Sequence, residues 1–167
     1  IVSDGLDACT VDEVARRSGV AKTTIYRHFA NAEELSMAAV DSMIEQVATP
    51  DHGSLLADLR AIVLAFREVV SHHTFQRLFA DMLARSARDP EFAKLYEAAQ
   101  EMRHAPLRVA LQRGMARGEV DPEIDLETAM YFVQGPFVAK RLIEMDELSE
   151  DEIDTFLHLI LRALSPD

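Results

Sequence analysis

The stretch TVDEVARRSGVAKTTIYRHF, residues 10–29, has the pattern of two short helices joined by a tight turn. Thr10 is a favourable N-cap, and Glu13 three residues later completes a capping-box pattern. Val11, Val14 and Ala15 then form an apolar stripe at helical spacing. Gly19 stands where the chain must turn sharply, because glycine adopts positive φ without steric cost. The stretch therefore predicts a helix-turn-helix.

The second of these helices carries two kinds of residue. Val20, Ile25 and Phe29 are spaced to face inward. Six residues between them are hydrogen-bond donors or cations, namely Lys22, Thr23, Thr24, Tyr26, Arg27 and His28. Such a face suits a recognition helix in the major groove of DNA, with cations placed for phosphates. A helical hairpin with an ordinary polar surface is the less favoured alternative. The predicted DNA contacts are Thr10, Lys22, Thr23, Thr24, Tyr26, Arg27 and His28.

These residues resemble the tetracycline-repressor (TetR) family of bacterial transcription regulators. The matching runs are TVDEVA (10–15), SGV (18–20), TIYRHF (24–29) and EL (34–35). The resemblance implies an all-α chain, with a DNA-binding domain over residues 1–48 and a helical effector-binding and dimerisation domain over residues 54–167. It also implies that the family's first helix is truncated here, so we expect residues to be missing before Ile1. Ala32 stands where many relatives have a phosphate-binding lysine, so that contact is not expected.

Composition agrees with an all-α protein that binds DNA through local charges. Of the 167 residues, 49% are hydrophobic and 28% charged, which allows a sizeable core. The formal net charge is -12, and residues 1–48 hold four Lys and Arg against eight Asp and Glu. Attraction to phosphate must therefore come from the placement of Lys22, Arg27 and His28. The lone Cys9 gives no disulfide framework, which fits a reducing cytosol, and we expect a cytoplasmic protein.

Start and stop signals divide the rest of the chain into helices. Predicted helices run over residues 31–48, 54–73, 75–87, 90–117, 125–145 and 149–164, with a linker at 49–53. Pro106 is expected to kink or break its helix, and Gly135-Pro136 is expected to interrupt the helix that follows.

The resemblance implies an effector cavity among the helices of residues 54–145. The two proline positions are expected to open space there for a small, largely apolar molecule. An ordinary packed core is the alternative explanation of the same apolar stripes. The expected lining residues are Phe66, Val70, Phe79, Met82, Leu83, Tyr96, Gln100, Met102, His104, Val133, Gln134 and Phe137.

The final helix is apolar on nearly every face, which a surface helix cannot be. One face is expected to cover the core and another to meet a second copy, as the resemblance implies for a homodimer with two-fold symmetry. The expected interface residues are Met130, Lys140, Arg141, Ile153, Phe156, Leu157, Ile160 and Leu164.

Enzyme chemistry has little support in the sequence. It contains no phosphate-binding glycine loop, zinc-protease motif, nucleophile elbow or paired cysteines, so no catalytic residue, cofactor or metal is predicted. Glu97, Glu101 and His104 share a helix face, but a solvated acidic stripe is favoured over a metal site. The remaining alternative is a helical module that docks a protein. A docking helix would expose more apolar side chains than residues 22–28 offer.

Overall fold

The structure, a computed structural model, describes residues 9–43, 49–71 and 73–166. These ranges contain α-helices and one π-helical turn and no strand, which confirms the all-α prediction. None of the described helices is both long enough and apolar enough to cross a membrane. The helices are α1 (Val11–Ser18), α2 (Lys22–His28), α3 (Ala32–Met43), α4 (Leu55–Val70), α5 (His73–Ser86), α6 (Pro90–Ala116), α7 (Leu126–Val138) and α8 (Glu150–Leu164), with the π turn at Ala139–Ile143.

The described residues form two compact units. The first holds residues 9–43 and 73–102, and the second holds 49–71 and 103–166. Residues 73–102, expected from the sequence to belong to the C-terminal domain, are therefore grouped with the helix-turn-helix. The division into a DNA-binding domain, residues 1–48, and an effector-binding and dimerisation domain, residues 54–167, stays a prediction.

The first unit contains two buried clusters that share α3. Leu35 of α3 packs with Val11 and Ile25 beneath the helix-turn-helix. Further along α3, Met37 and Val40 pack with residues of α5 and of the first half of α6. An ion pair between Arg85 and Glu33, 2.7 Å from Nη2 to Oε1, joins α5 to the start of α3. The Arg85 guanidinium also lies 4.8 Å from the centre of the Phe92 ring. α3 is thus held to α5 and α6 by apolar and charged contacts together.

The second unit has the larger core, built from α4, the second half of α6, α7 and α8. α8 contributes four buried residues at helical spacing, Ile153, Leu157, Ile160 and Leu164. Gly114 of α6 is buried where this helix approaches Leu55 of α4 closely. A Cβ on Gly114 would lie 3.0 Å from Cδ2 of Leu55, so glycine permits this packing.

Most predicted helix starts are confirmed by capping bonds. Asp89 Oδ1 accepts from the backbone N–H groups of Glu91 and Phe92, and Asp125 accepts from Thr128. Ser149 and Glu152 form the predicted capping box at the start of α8. The predicted end of the helix after residue 31 lies in residues 44–48, outside the described residues.

The predicted interruption at Gly135-Pro136 is wrong, as is a break at Pro106, while a kink at Pro106 stays a prediction. α6 continues through Pro106 without a break, and α7 continues through Gly135 and Pro136. The irregularity comes later, where residues 139–143 form the π turn and Met145 adopts a positive φ of 61°. Proline removes one backbone donor, and in both helices the remaining bonds and side-chain packing keep the helix intact.

The predicted linker at 49–53 is non-helical, as expected, and it is held by polar contacts within the second unit. Gly53 takes a positive φ of 83° just before α4. Arg113 donates to the Pro50 carbonyl oxygen at 2.9 Å, and the His52 N–H donates to Oδ1 of buried Asp58 at 2.7 Å. The segment therefore has a defined conformation.

Candidate nucleic-acid interface

α1 begins as predicted, but with only half of the expected capping box. The Thr10 hydroxyl accepts from the backbone N–H of Glu13 at 3.2 Å. The Glu13 carboxylate instead accepts hydrogen bonds from Arg16 and Arg17, each as short as 2.5 Å. The Arg16 bond, and then the Arg17 bond, lowers the pKa of Glu13 to about 2. Two nearby cations compete better for this carboxylate than a single backbone N–H does.

The turn has the predicted geometry. Gly19 adopts φ 74° and ψ 4°, and its N–H donates to the Ala15 carbonyl oxygen at 3.0 Å. Ile25 is buried against Val11, and Phe29 is partly buried beside them. Val20 was predicted to face inward, but this prediction is wrong because Val20 is exposed. It lies in the turn, before the first helical position of α2, so the helical spacing does not apply to it.

α2 presents one exposed polar face. Lys22 and Tyr26 are four residues apart, as are Thr23 and Arg27, so the two pairs lie side by side along the helix. All four side chains are exposed, while Ile25 on the opposite side is buried. His28 is also exposed, Thr24 is half-buried, and Thr10 lies at the N-cap of α1. The fold thus brings the predicted contacts of α2 together as one solvent-facing surface.

The helix-turn-helix is positively charged although the chain is acidic. Residues 9–30 contain four Lys and Arg and two Asp and Glu, a net +2. Lys22 Nζ lies 2.7 Å from Asp12 Oδ1, so this pair bridges α1 and α2. The Asp12 hydrogen bond, followed by its charge, raises the pKa of Lys22. Among the residues that the structure describes, Arg27 forms no ion pair. Counting charges over residues 1–48 concealed this local excess of cations.

The residues predicted to line an effector cavity are divided between the two units. Leu83 and Met102 are exposed, and their place in a cavity stays a prediction. The other four in the first unit are Phe79, Met82, Tyr96 and Gln100, and the six in the second are Phe66, Val70, His104, Val133, Gln134 and Phe137.

The remaining residues predicted to line the cavity fall into two groups, those buried in a core and those half-buried. Val70 and Met82 are wholly buried, and Val133 and Phe137 are nearly so. Met82 belongs to the cluster shared by α3, α5 and α6, and the last two belong to the core of the second unit. These residues fill cores, which was the alternative weighed from the sequence. The half-buried residues are Phe66, Phe79, Tyr96, Gln100, His104 and Gln134.

Most of the residues predicted to form the dimer interface are buried within the protomer, and the interface itself stays a prediction. They pack in the core of the second unit or, for Arg141, donate at 3.1 Å to the carbonyl oxygen of Ser71. A helix apolar on many faces buries its largest stripe in its own core first, and periodicity alone cannot identify that stripe. The buried residues are Met130, Arg141, Ile153, Leu157, Ile160 and Leu164. Phe156 and Lys140 stay partly exposed.

Sequence reasoning missed the apolar side chains that the second unit does expose. Tyr131 and Phe132 of α7 are 69% and 48% exposed, and Leu159 of α8 is 57% exposed. One signal was available. Tyr131 follows the exposed Glu127 by four residues, which places an aromatic ring on the polar face of α7. No group of three metal-binding side chains occurs in the described part of the chain.

Two family models match the chain. The model for bacterial regulatory proteins of the tetR family matches residues 1–39, and the model for the tetracyclin repressor-like C-terminal domain matches residues 49–160. The chain belongs to the TetR family. Its function is therefore DNA-binding regulation of transcription, as the helix-turn-helix predicted.

Individual relatives extend over most of this TetR-family chain. YdeS of Bacillus subtilis (strain 168), an HTH-type transcriptional regulator, is 26% identical over 157 residues, 92% of this chain and 78% of YdeS. The HTH-type transcriptional repressor KstR2 of Mycobacterium tuberculosis is 25% identical over 142 residues, 78% of this chain and 68% of KstR2. The crystal structure of the TetR family transcription regulator SCO0332 superposes with a TM-score of 0.77 at 24% identity. The match covers 99% of this chain and 92% of that chain. At this level of identity, the similarity to SCO0332 shows a shared fold and nothing more.

Proposed function

We propose that this TetR-family regulator is a repressor that binds a two-fold symmetric operator as a homodimer, with α2 in the major groove. One observation carries the proposal: α2 buries Ile25 and exposes Lys22, Thr23, Tyr26 and Arg27 along one face. A seven-residue helix with that face offers base-reading and phosphate-binding groups at once. Repression is proposed because the relative KstR2 is a repressor.

The side chains divide into two roles. Lys22 and His28 contact phosphates, as does Thr10 at the start of α1. Thr23, Thr24, Tyr26 and Arg27 reach base edges, and Tyr26 contacts a thymine methyl. Arg27 is the main base-reading residue, because its exposed guanidinium is not engaged by any described carboxylate.

Selection from random duplex oligonucleotides tests this assignment. The intact protein should enrich one palindromic sequence. Arg27→Ala should cost about 1–3 kcal/mol on that sequence and relax the preference at one position of each half-site. Lys22→Ala should weaken operator and random DNA alike and reduce the salt dependence. Enrichment of no sequence would overturn the proposal and favour a helix that docks protein.

The dimer is proposed to form through α7 and α8, which expose Tyr131, Phe132 and Leu159. Two recognition helices must lie about 34–36 Å apart to enter successive major grooves on one side of the duplex. Phe132→Glu should give monomers in sedimentation and abolish tight operator binding together. Met102→Glu, which changes an exposed apolar residue of the first unit, is the matched control. An undisturbed Phe132→Glu dimer would exclude this surface.

A small apolar effector completes the proposal. It binds beside half-buried side chains such as Phe66 and Gln134 of the second unit and lowers DNA affinity, because ligand and operator favour different conformations. A coupling of about 1–3 kcal/mol is the usual size of such an effect. Hydrophobic compounds that raise the melting temperature should be titrated into the protein–operator complex. Compounds that stabilise the protein yet leave operator affinity unchanged would overturn this part.

A further inference from the structure

The charged residues of the helix-turn-helix are arranged unevenly. Glu13 forms ion pairs with Arg16 and Arg17 within α1, so its negative charge is balanced inside that helix. Asp12 lies one residue earlier and reaches across to α2, where its Oδ1 is 2.7 Å from Nζ of Lys22. Both side chains of this second pair face water, at 74% exposure for Asp12 and 55% for Lys22. DNA can therefore approach Lys22 while Asp12 is in contact with it.

A carboxylate and a phosphate diester offer the same thing to an ammonium group, namely anionic oxygens at hydrogen-bond distance. We propose that Asp12 occupies the phosphate position on Lys22 in the free protein and must release Lys22 when DNA binds. Asp12 thereby limits the affinity for every DNA sequence, so that the chain relies on base contacts to stay bound. This inference rests on the proposed contact between Lys22 and a phosphate.

The arrangement gives the two cations of α2 different roles. Arg27 has no described carboxylate to release, so the whole free energy of its contact with a base contributes to DNA binding. Lys22 exchanges the Asp12 carboxylate for a phosphate, so its phosphate contact contributes less to the free energy of DNA binding. The attraction of α2 to DNA phosphates, which does not depend on base sequence, is thus weakened, while its base contacts are not. The exchange also reduces the net counterion release on binding, and this lowers the salt dependence.

A double-mutant cycle on full-length protein tests the inference. Asp12→Asn should tighten binding to the operator and to random duplex about two- to fivefold near 0.1 M salt, the usual scale for an exposed ion pair. The slope of log affinity against log salt should steepen by up to about 0.9, the value for one more phosphate neutralised. In a Lys22→Ala background the same Asp12→Asn change should have much less effect. Glu91→Gln is the matched control, because Glu91 also lies in the first turn of a helix and pairs with an exposed lysine, Lys94 at 2.9 Å.

The outcomes separate the two proposals. If Lys22→Ala leaves affinity and salt slope unchanged, Lys22 does not contact phosphate and the proposed interface is wrong. If Lys22→Ala weakens binding but Asp12→Asn tightens it equally in both backgrounds, Asp12 acts as a general negative charge and the inference is overturned. Unchanged binding in Asp12→Asn would also overturn it. Thermal melting of each variant shows whether loss of the Asp12 charge at the start of α1 has changed folding.

Discussion

The helix-turn-helix is supported by four buried residues, Cys9, Val11, Ile25 and Leu35, within the described ranges. Over the same ranges the core of the second unit contains sixteen buried residues, fourteen from α4, α6, α7 and α8 and two, Val120 and Leu148, from the connecting segments. Full burial of one large apolar side chain stabilises a fold by about 1.5–3 kcal/mol, so the two regions differ several-fold in apolar stabilisation. The smaller region carries the exposed charges and donors. Its outer face is therefore available for recognition, and its stability depends on few contacts.

The first way to test this difference is to remove a buried side chain from the larger core. Leu157 of α8 is fully buried, and Leu157→Ala should destabilise the second unit by about 2–5 kcal/mol through lost burial and a cavity. Urea unfolding followed by circular dichroism measures the change. Arg162→Ala on the same helix removes an exposed side chain that has no place in the proposed dimer surface, and it should change the free energy of unfolding by less than about 0.5 kcal/mol. Equal losses would mean that burial does not distinguish the two faces of α8.

The second test addresses the smaller cluster. Ile25→Ala should cost about 2 kcal/mol, at the low end for such a change, because a cluster of four residues beside solvent relaxes more easily. Operator binding should fall strongly, since α2 loses its only buried residue. Amide exchange should rise in α1 and α2 and stay unchanged in α8. Exchange that rises equally in α8 would show that the two regions unfold as one.

The same contrast explains which features could be predicted from the sequence. Caps at Thr10, Asp89 and Ser149, and the turn at Gly19, depend on residues within four positions, so local patterns predicted them. The exposed face of α2 was predictable because a short polar helix has one apolar side. The faces of α8 were not, because burial of Leu157 depends on helices distant in the sequence. The continuity of α6 through Pro106 likewise depends on packing, which overrides the local preference.

A third test compares two glycines within helices of the second unit. In Gly114→Ala the new methyl group would lie 3.0 Å from Cδ2 of Leu55 and 3.2 Å from Cγ2 of Val120. Overpacking should outweigh the better helix propensity of alanine and give a net loss of about 1 kcal/mol. Gly135→Ala would meet nothing within 4 Å, so it should be neutral or slightly stabilising. Thermal unfolding of the two variants gives the comparison, and a stabilised Gly114→Ala protein would show that Leu55 can move aside.

The smallest expected effect concerns two glutamates with similar pKa values, one in each region. The pKa of Glu152 is lowered to about 2, first by Lys140, whose Nζ lies 2.7 Å from Oε1, and then by the hydroxyl and N–H of Ser149. Glu13 in α1 has its pKa lowered to about 2 by Arg16 and Arg17. Because the folded-state pKa lies below the ordinary value of 4.5, each carboxylate stabilises the fold above pH 4.5. That stabilisation is lost as the pH falls towards 2.

Both glutamates face water, so solvent screening keeps their effects on stability small, and side-chain NMR titration is the better measurement. Glu13 and Glu152 should titrate with midpoints near pH 2, well below the ordinary 4.5. Lys140→Met should move the Glu152 midpoint upwards and leave Glu13 unchanged, because Lys140 contacts only the former among these two. Operator DNA should shift Glu13 and not Glu152, since only Glu13 lies beside the proposed interface. A Glu152 midpoint near 4.5 in the unmodified protein would show that its bonds to Lys140 and Ser149 do not persist in solution.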